Sequence, residues 1–188
     1  MFVVGYGLSV VDHATRPQPT THNKQQSDLM NIRFDMVSCF VVRPDDSASG
    51  HEFLQLRRAP DDFMGGAWST VRGTVEPGET GWGAALRELR EEAGITPDEF
   101  YQLDTVDVFY LHGDDTIWHC PGFCAVVGRD AAVTLNPEHD AFRWVERSRV
   151  DRDFLWPGER AQIAELCREV LDNGPAKPYL RIPVVDVS

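Results

Sequence analysis

Five glutamates and two arginines fall within the stretch GTVEPGETGWGAALRELREEAGI, residues 73–95. Three of the glutamates, Glu88, Glu91 and Glu92, occupy one five-residue window. The window reads as a helix. Ala84, Ala85, Leu86, Leu89 and Ala93 recur at helix-compatible spacing, Thr80 or Glu79 suits the N-terminal cap, and Gly94 is a natural stop. Each residue turns about 100°, so with Glu88 at zero Glu91 lies at roughly 300° and Glu92 at roughly 40°. The three carboxylates then share one face, with Ala85 and Leu89 directed toward a core. An isolated acidic pair usually marks a solvated helix face. Three like charges within one turn repel each other, and a cation would balance them. Carboxylate oxygens are the hard ligands that Mg²⁺ takes, with Mn²⁺ as a substitute, the remaining positions going to water and substrate phosphates. A cation so held can neutralise a diphosphate, polarise its phosphorus and acidify a water. Arg87 and Arg90 flank the acidic face, and Arg87 can pair with Glu79 at the helix entry.

The elements that must position this helix follow from the rest of the chain. Residues 13–28, HATRPQPTTHNKQQSD, are polar, contain proline and have no period, so residues 1–28 read as an N-terminal arm or linker. The remaining 29–188 read as a single domain whose ordered part begins near Ile32. RFDMVSCFVVR and EFLQLRR read as strands, followed by the loop RAPDDFMGGAW and the short extended piece WSTVRG. After the helix come FYQLDTVDVFYLHG and TIWHCPGFCAVVG, joined by the turn GDD, and then the strand AFRWV. A last helix, roughly residues 158–171, places Ile163, Leu166, Val170 and Leu171 on one face. The order strands, helix, strands, helix implies an α/β fold, a mixed β-sheet with a helix on each face.

The bulk numbers narrow the function. The 188 residues carry a net charge of −12, with 42% hydrophobic and 26% charged residues, the profile of a folded chain with a core. The charge argues against general binding to nucleic acid or an anionic membrane surface. It leaves open a small polyanionic substrate bridged to the protein by divalent ions. The apolar opening MFVVGYGLSVV lacks a basic start and is interrupted by Gly5 and Gly7, so it reads as neither signal peptide nor anchor. Cys39, Cys120, Cys124 and Cys167 form no CxxC pair and read as buried thiols, which points to a cytoplasmic protein.

Gly73, Glu79, Arg87, Glu88, Leu89, Glu91, Glu92, Gly94 and Ile95 together fit the pattern G-x5-E-x7-R-E-U-x-E-E-x-G-U, where U is a bulky aliphatic residue. In this the sequence resembles the Nudix hydrolases, and the order of elements over residues 32–172 is similar to the Nudix α/β/α sandwich. The resemblance implies hydrolysis of a nucleoside diphosphate linked to another group, with a divalent metal in the box. It makes Glu88, Glu91 and Glu92 metal ligands together with the Gly73 carbonyl, and gives Glu79, Arg87 and Gly94 structural roles, Glu79 orienting Arg87. Glu88 and Glu91 enter as candidate catalytic groups, Glu88 as a base for the attacking water.

LQLRR, WSTVRG, PEHDAFRWV and LWPGERAQIAEL resemble the bacterial dATP pyrophosphohydrolase group, which includes dihydroneopterin triphosphate pyrophosphatases. A nucleoside or pterin triphosphate cleaved to monophosphate and pyrophosphate is the implied reaction, with a homodimer as an allowed assembly. The resemblance makes Glu138 a second candidate base or metal ligand and Arg57 a phosphate-binding arginine. Arg72 and Leu155 depart from that group's pattern at substrate-contacting positions, so the ring preference stays open. Among Trp68, Trp118, Trp144 and Trp156 the expectation is one ring-stacking residue, Trp118 or Trp156, the others being core. His119 and His139 read as surface or internally satisfied residues. Near Tyr110 the ADP-ribose hydrolases tend to carry a proline, so the resemblance there is to diadenosine polyphosphate hydrolases; diadenosine polyphosphates, and less well ADP-ribose, are the alternative substrates. A nucleotide sensor without chemistry is opposed by the complete glutamate set. An isoprenoid diphosphate isomerase would need a pocket cysteine, whereas Cys39 and Cys124 lie in core-like strands.

Overall fold

Alternation along two central strands divides the interior into two cores. In β2 (Met36–Pro44) the side chains of Val37, Cys39 and Val41 point to one side of the sheet and those of Phe40 and Val42 to the other. In β3 (His51–Arg58) Leu54 and Leu56 join the first set and Phe53 the second. The first core is closed by α1 (Gly81–Ala93) through Ala84, Ala85, Leu89 and Ala93. The second is closed by α3 (Pro157–Leu166) through Ile163 and Leu166. A period of two in the strands and of 3.6 in the helices thus yields the three layers. The structure, a computed structural model, describes residues 30–46, 50–62 and 64–184, so the arm assigned to residues 1–28 lies outside it.

The sheet carries nine strands among the described residues. Beyond β2 and β3 these are β1 (Asn31–Arg33), β4 (Trp68–Ser69), β5 (Val71–Thr74), β6 (Glu99–Leu111), β7 (Thr116–Val126), β8 (His139–Glu146) and β9 (Arg181–Ile182). The main order is β4-β3-β2-β7-β6-β9, with β8 antiparallel to β3 and β5 antiparallel to the first half of β2. β2 and β1 run parallel to β7, so the sheet is mixed, as the element order implied. Two short helices complete the fold, α2 (Val150–Asp153) and α4 (Lys177–Leu180).

Three boundaries differ from the sequence reading. The first strand breaks at Phe34 and Asp35, where the Asp35 carbonyl accepts the Val75 N–H at 2.9 Å and ties the break to β5. The last helix begins at Pro157 and widens after Leu166, where the Asp172 N–H reaches back five residues to the Cys167 carbonyl at 2.9 Å. α4 and β9 follow, and β9 pairs with β6 through Phe100 and Tyr101, residues that carried no signal of an extra neighbour. All four cysteines are buried free thiols, as their spacing suggested. No helix among the described residues is long and apolar enough to cross a membrane.

Beside its apolar packing, the contact between α3 and β6 carries a polar patch. The register of β6 against β7 slips between Gln102 and Val106, leaving a bulge. The Glu165 carboxylate accepts the Asp104 N–H at 2.7 Å and the Thr105 N–H at 2.8 Å, and the Gln162 side chain donates to the Thr105 carbonyl at 2.9 Å. Backbone groups expelled from the ladder are thereby satisfied by a helix. Glu165→Ala removes both acceptors, and denaturant unfolding is expected to show a loss of about 1–3 kcal/mol. An unchanged midpoint would mean that water replaces the carboxylate.

Candidate active site

The helix α1 is placed by its two ends. The Thr80 hydroxyl accepts the Gly83 N–H at 3.2 Å, and Gly94 stops the helix with φ 67°, its N–H returning to the Arg90 and Leu89 carbonyls. That left-handed backbone favours glycine. Between them Arg87 forms a hub. It bonds Glu79 through two nitrogens at 3.1 Å, Glu88 at 2.8 Å, Glu91 at 3.2 Å and the Thr74 carbonyl at 2.8 Å. The helix entry, the helix body and the end of β5 are clamped by one guanidinium. Glu79 also accepts the Glu76 N–H at 3.2 Å.

The three helix glutamates do not share one environment. Glu91 is exposed, Glu88 is half-buried and Glu92 is buried, only 4% exposed. The helical wheel contains the reason: at roughly 40° Glu92 stands beside Ala85, at roughly 60°, on the edge of the apolar stripe. Burial, with Glu88 and Glu138 adding repulsion, pushes the Glu92 carboxyl up to about 8, and its Oε2 has no hydrogen-bond partner among the described residues. Burial raises the Glu88 carboxyl too, against the lowering pull of Arg87.

Glu88 and Glu92 face an open cavity with Arg58, Arg72, Gly73 and Glu138. Gly73 allows the close approach: a Cβ there would fall 2.0 Å from both Cγ and Cδ of Glu88. Glu138, from the loop before β8, sits across from α1 and pairs with Arg58 at 3.3 Å. Among the described residues no three acidic, histidine or cysteine side chains converge tightly enough to form a preformed metal cluster. Glu88 and Glu91 are turned onto Arg87 instead. The donor chemistry nevertheless fits a hard divalent cation: carboxylate oxygens, the Gly73 backbone and one buried carboxylate oxygen that lacks a partner.

Other expected residues fall differently. Arg57 pairs with Asp140 at 2.7 Å and lies over the Trp68 ring at 5.6 Å, outside the acidic cavity lining. Its neighbour Arg58 lines the acidic cavity, because successive strand residues face opposite sides. His139 is buried and internally satisfied, one of the two readings its sequence left open. It lines the same cleft as Glu92, its Nδ1 sits 3.1 Å from Asn136 Oδ1, and burial lowers its pKa. His119 instead packs on Phe34, ring centroids 5.0 Å apart.

The cleft continues past Arg72 into a more apolar pocket of about 260 Å³, walled by Phe109, Leu111, Trp118 and Trp156. Trp156 is partly exposed and borders both halves of the cleft. Trp118 is buried, one ring face covered by the Arg33 guanidinium at 4.4 Å. Trp68 lines the cleft as well, whereas the Trp144 ring lies under Arg43 at 4.0 Å. Tyr110 borders the apolar pocket and donates to Asp115 at 2.9 Å. Cys39 and Cys124 are fully buried, and burial raises both thiols. Neither borders the cleft.

The sequence profile of the NUDIX domain matches residues 33–166, and the chain belongs to the Nudix family. It is 38% identical over 100 residues to an octanoyltransferase of Myxococcus xanthus, an alignment covering 50% of this chain and 26% of that protein. Over 83 residues it is 36% identical to an asymmetrical bis(5'-nucleosyl)-tetraphosphatase of Sus scrofa, covering 42% of this chain and 54% of the other. An 8-oxo-dGTP diphosphatase of Escherichia coli is 29% identical over 118 residues, 63% of this chain and 88% of that one. The chain thus spans about a quarter and about half of the first two relatives. Among solved structures, a C. elegans Ap4A hydrolase binary complex superposes with a TM-score of 0.60 at 22% identity, covering 73% of this chain and 97% of the other, a likeness of fold.

Proposed function

We propose that this chain is a Mg²⁺-dependent pyrophosphohydrolase that cleaves a nucleoside or pterin triphosphate to monophosphate and pyrophosphate. The observation that carries the reading is a buried Glu92 oxygen, without a partner among the described residues, in a cavity shared with Glu88, Glu138, Gly73 and two arginines. A cavity so divided between acidic and basic walls suits a metal-bridged phosphate chain better than a free organic acid. Glu88, Glu92, Glu138 and the Gly73 carbonyl are the proposed ligands. Mg²⁺, or Mn²⁺ in its place, supplies charge neutralisation and Lewis-acid polarisation at phosphorus when bound. Arg58 and Arg72 hold phosphate oxygens, the role expected of Arg57 passing to its neighbour. Glu88 or Glu138 takes the proton as the oxygen of water bonds to phosphorus, the bridging P–O bond breaks and pyrophosphate leaves. Glu91 acts through Arg87, which with Glu79 fixes the helix against β5.

A second reading, a dinucleoside polyphosphate hydrolase, is favoured by Tyr110 at the aromatic pocket and by the tetraphosphatase relative. The deciding experiment incubates the full chain with Mg²⁺ or Mn²⁺ and a panel of nucleoside triphosphates, dihydroneopterin triphosphate, ADP-ribose and diadenosine polyphosphates, with products identified by mass. Monophosphate plus pyrophosphate from a triphosphate is the expected result. Turnover of diadenosine polyphosphates alone selects the second reading, and nucleotide binding without any product replaces both with a sensor.

A further inference from the structure

The floor of the aromatic pocket is charged, and the phosphate reading leaves its two carboxylates unused. Asp107 from β6 and Glu159 at the start of α3 are both buried, with Arg72 between them. An Arg72 nitrogen lies 3.2 Å from Glu159 Oε1 and 4.0 Å from Asp107 Oδ2. Glu159 therefore takes the ion pair, and Asp107 stands beyond hydrogen-bond range of its nearest cation, in the pocket lining. Three buried atoms around this floor have no partner among the described residues: Arg72 Nε, Glu159 Oε2 and Trp118 Nε1. Space for the Asp107 carboxylate is provided by Gly158, where an added Cβ would fall 1.8 Å from Asp107 Oδ1. An apolar pocket with a carboxylate held only by a long ion pair, beside a guanidinium whose Nε has no partner among the described residues, is built for a ligand that brings matching groups.

We propose that this pocket selects a heterocycle presenting a 2-amino-4-oxopyrimidine edge, Asp107 accepting from its ring N–H and amino group while Arg72 donates to its carbonyl. The inference rests on the phosphate-cleaving reading of the neighbouring cavity and names the ring that goes with those phosphates. A carboxylate accepts two adjacent N–H groups side by side. Adenine sets a ring nitrogen lone pair beside its amino group, and cytosine does the same, so each turns a lone pair toward Asp107. Thymine offers one N–H between two carbonyls. Guanine nucleotides and pterin triphosphates both carry the full edge. Trp156, at the mouth, is placed to cover the ring. A site whose buried polar atoms go unpaired with the wrong ligand discriminates strongly.

The test measures kcat/KM of the full chain for dGTP, GTP and dihydroneopterin triphosphate against dATP, dCTP and dTTP, with wild type and Asp107→Asn. Binding of the same ligands is followed in parallel by tryptophan fluorescence, on Glu92→Gln if the wild type consumes them. The expected result is a preference of tenfold or more for the first group, collapsing toward unity in Asp107→Asn, whose amide presents a donor where the carboxylate accepts. The two sources separate within the panel: a guanine compound or the pterin compound leads, and either supports the edge. Equal or better use of dATP by the wild type overturns the inference, as does an Asp107→Asn variant that keeps the wild-type ratio. If Asp107→Asn does not fold, the wild-type ratio decides alone. Absence of hydrolysis with a tenfold binding preference removes the pyrophosphohydrolase reading and leaves this one standing, and hydrolysis without preference does the reverse.

Discussion

Replacing Glu92 by glutamine is expected to lower turnover by roughly 10²–10³-fold, the scale seen when one charge-stabilising group is removed from a reacting centre. The same substitution is expected to make the metal-free protein more stable. The wild-type carboxyl is pushed up to about 8 by burial and by Glu88 and Glu138, from an ordinary value of 4.5. For this group the stabilising protonated form is complete below about pH 4.5, and its contribution is lost as pH rises through about 8. Glutamine keeps a neutral side chain of the same shape at every pH. The variant's melting temperature should therefore exceed that of the metal-free wild type most at pH 8 and by a shrinking margin toward pH 5. Each kcal/mol corresponds to about 2–4 °C in a domain of this size. Saturating Mg²⁺ should raise the wild type, because a ligand that binds only the folded state stabilises it by mass action, and should raise the variant less. A variant that melts below the metal-free wild type at pH 8, or turns over normally, would remove Glu92 from the metal site.

Gly73→Ala is expected to separate stability from activity in the opposite way. The new Cβ would sit 2.0 Å from both Cγ and Cδ of Glu88, atoms of a flexible side chain rather than of the backbone. Glu88 can swing aside, so the fold and the pairing of Gly73 with Val37 should persist, with a melting temperature within a few degrees of wild type. A base or ligand displaced by an ångström can cost about 10²-fold in rate, and a loss of that order in kcat/KM is expected. Near-normal kinetics would show that the position of Glu88 against β5 is not used. Unfolding would show that the close packing there is structural.

What the sequence displayed was governed by how each signal is generated. The box glutamates, the Thr80 cap and the Gly94 stop are local and depend on spacing along a single helix. Strand parity also separates Arg57 from Arg58, since Leu54 and Leu56 already assign the even positions to the α1 side. The resemblance pointed to Arg57, whereas the proposed phosphate contact falls to Arg58, which lines the acidic cavity. The burial of Glu92 was likewise present in its wheel angle beside Ala85. Glu159, Gln162 and Glu165 were different. All three are buried on α3, Glu159 against Arg72 and the other two serving a bulge in β6 that no single-strand pattern announces. Asp107 was hidden for the same reason, as one polar residue in an alternating strand. Buried polar residues take their meaning from partners distant in the chain, and periodicity carries no record of those partners.

The two halves of the cleft draw on different parts of the fold. The acidic cavity is walled by α1, β5 and the loop before β8, the aromatic pocket by β6, β7 and the start of α3. Arg72 borders both. On the proposed assignment, mutations in β6, β7 or α3 redirect the choice of ring while leaving the scission apparatus untouched. Arg72 is the exception. In the proposed roles, a change there alters recognition and bond cleavage together.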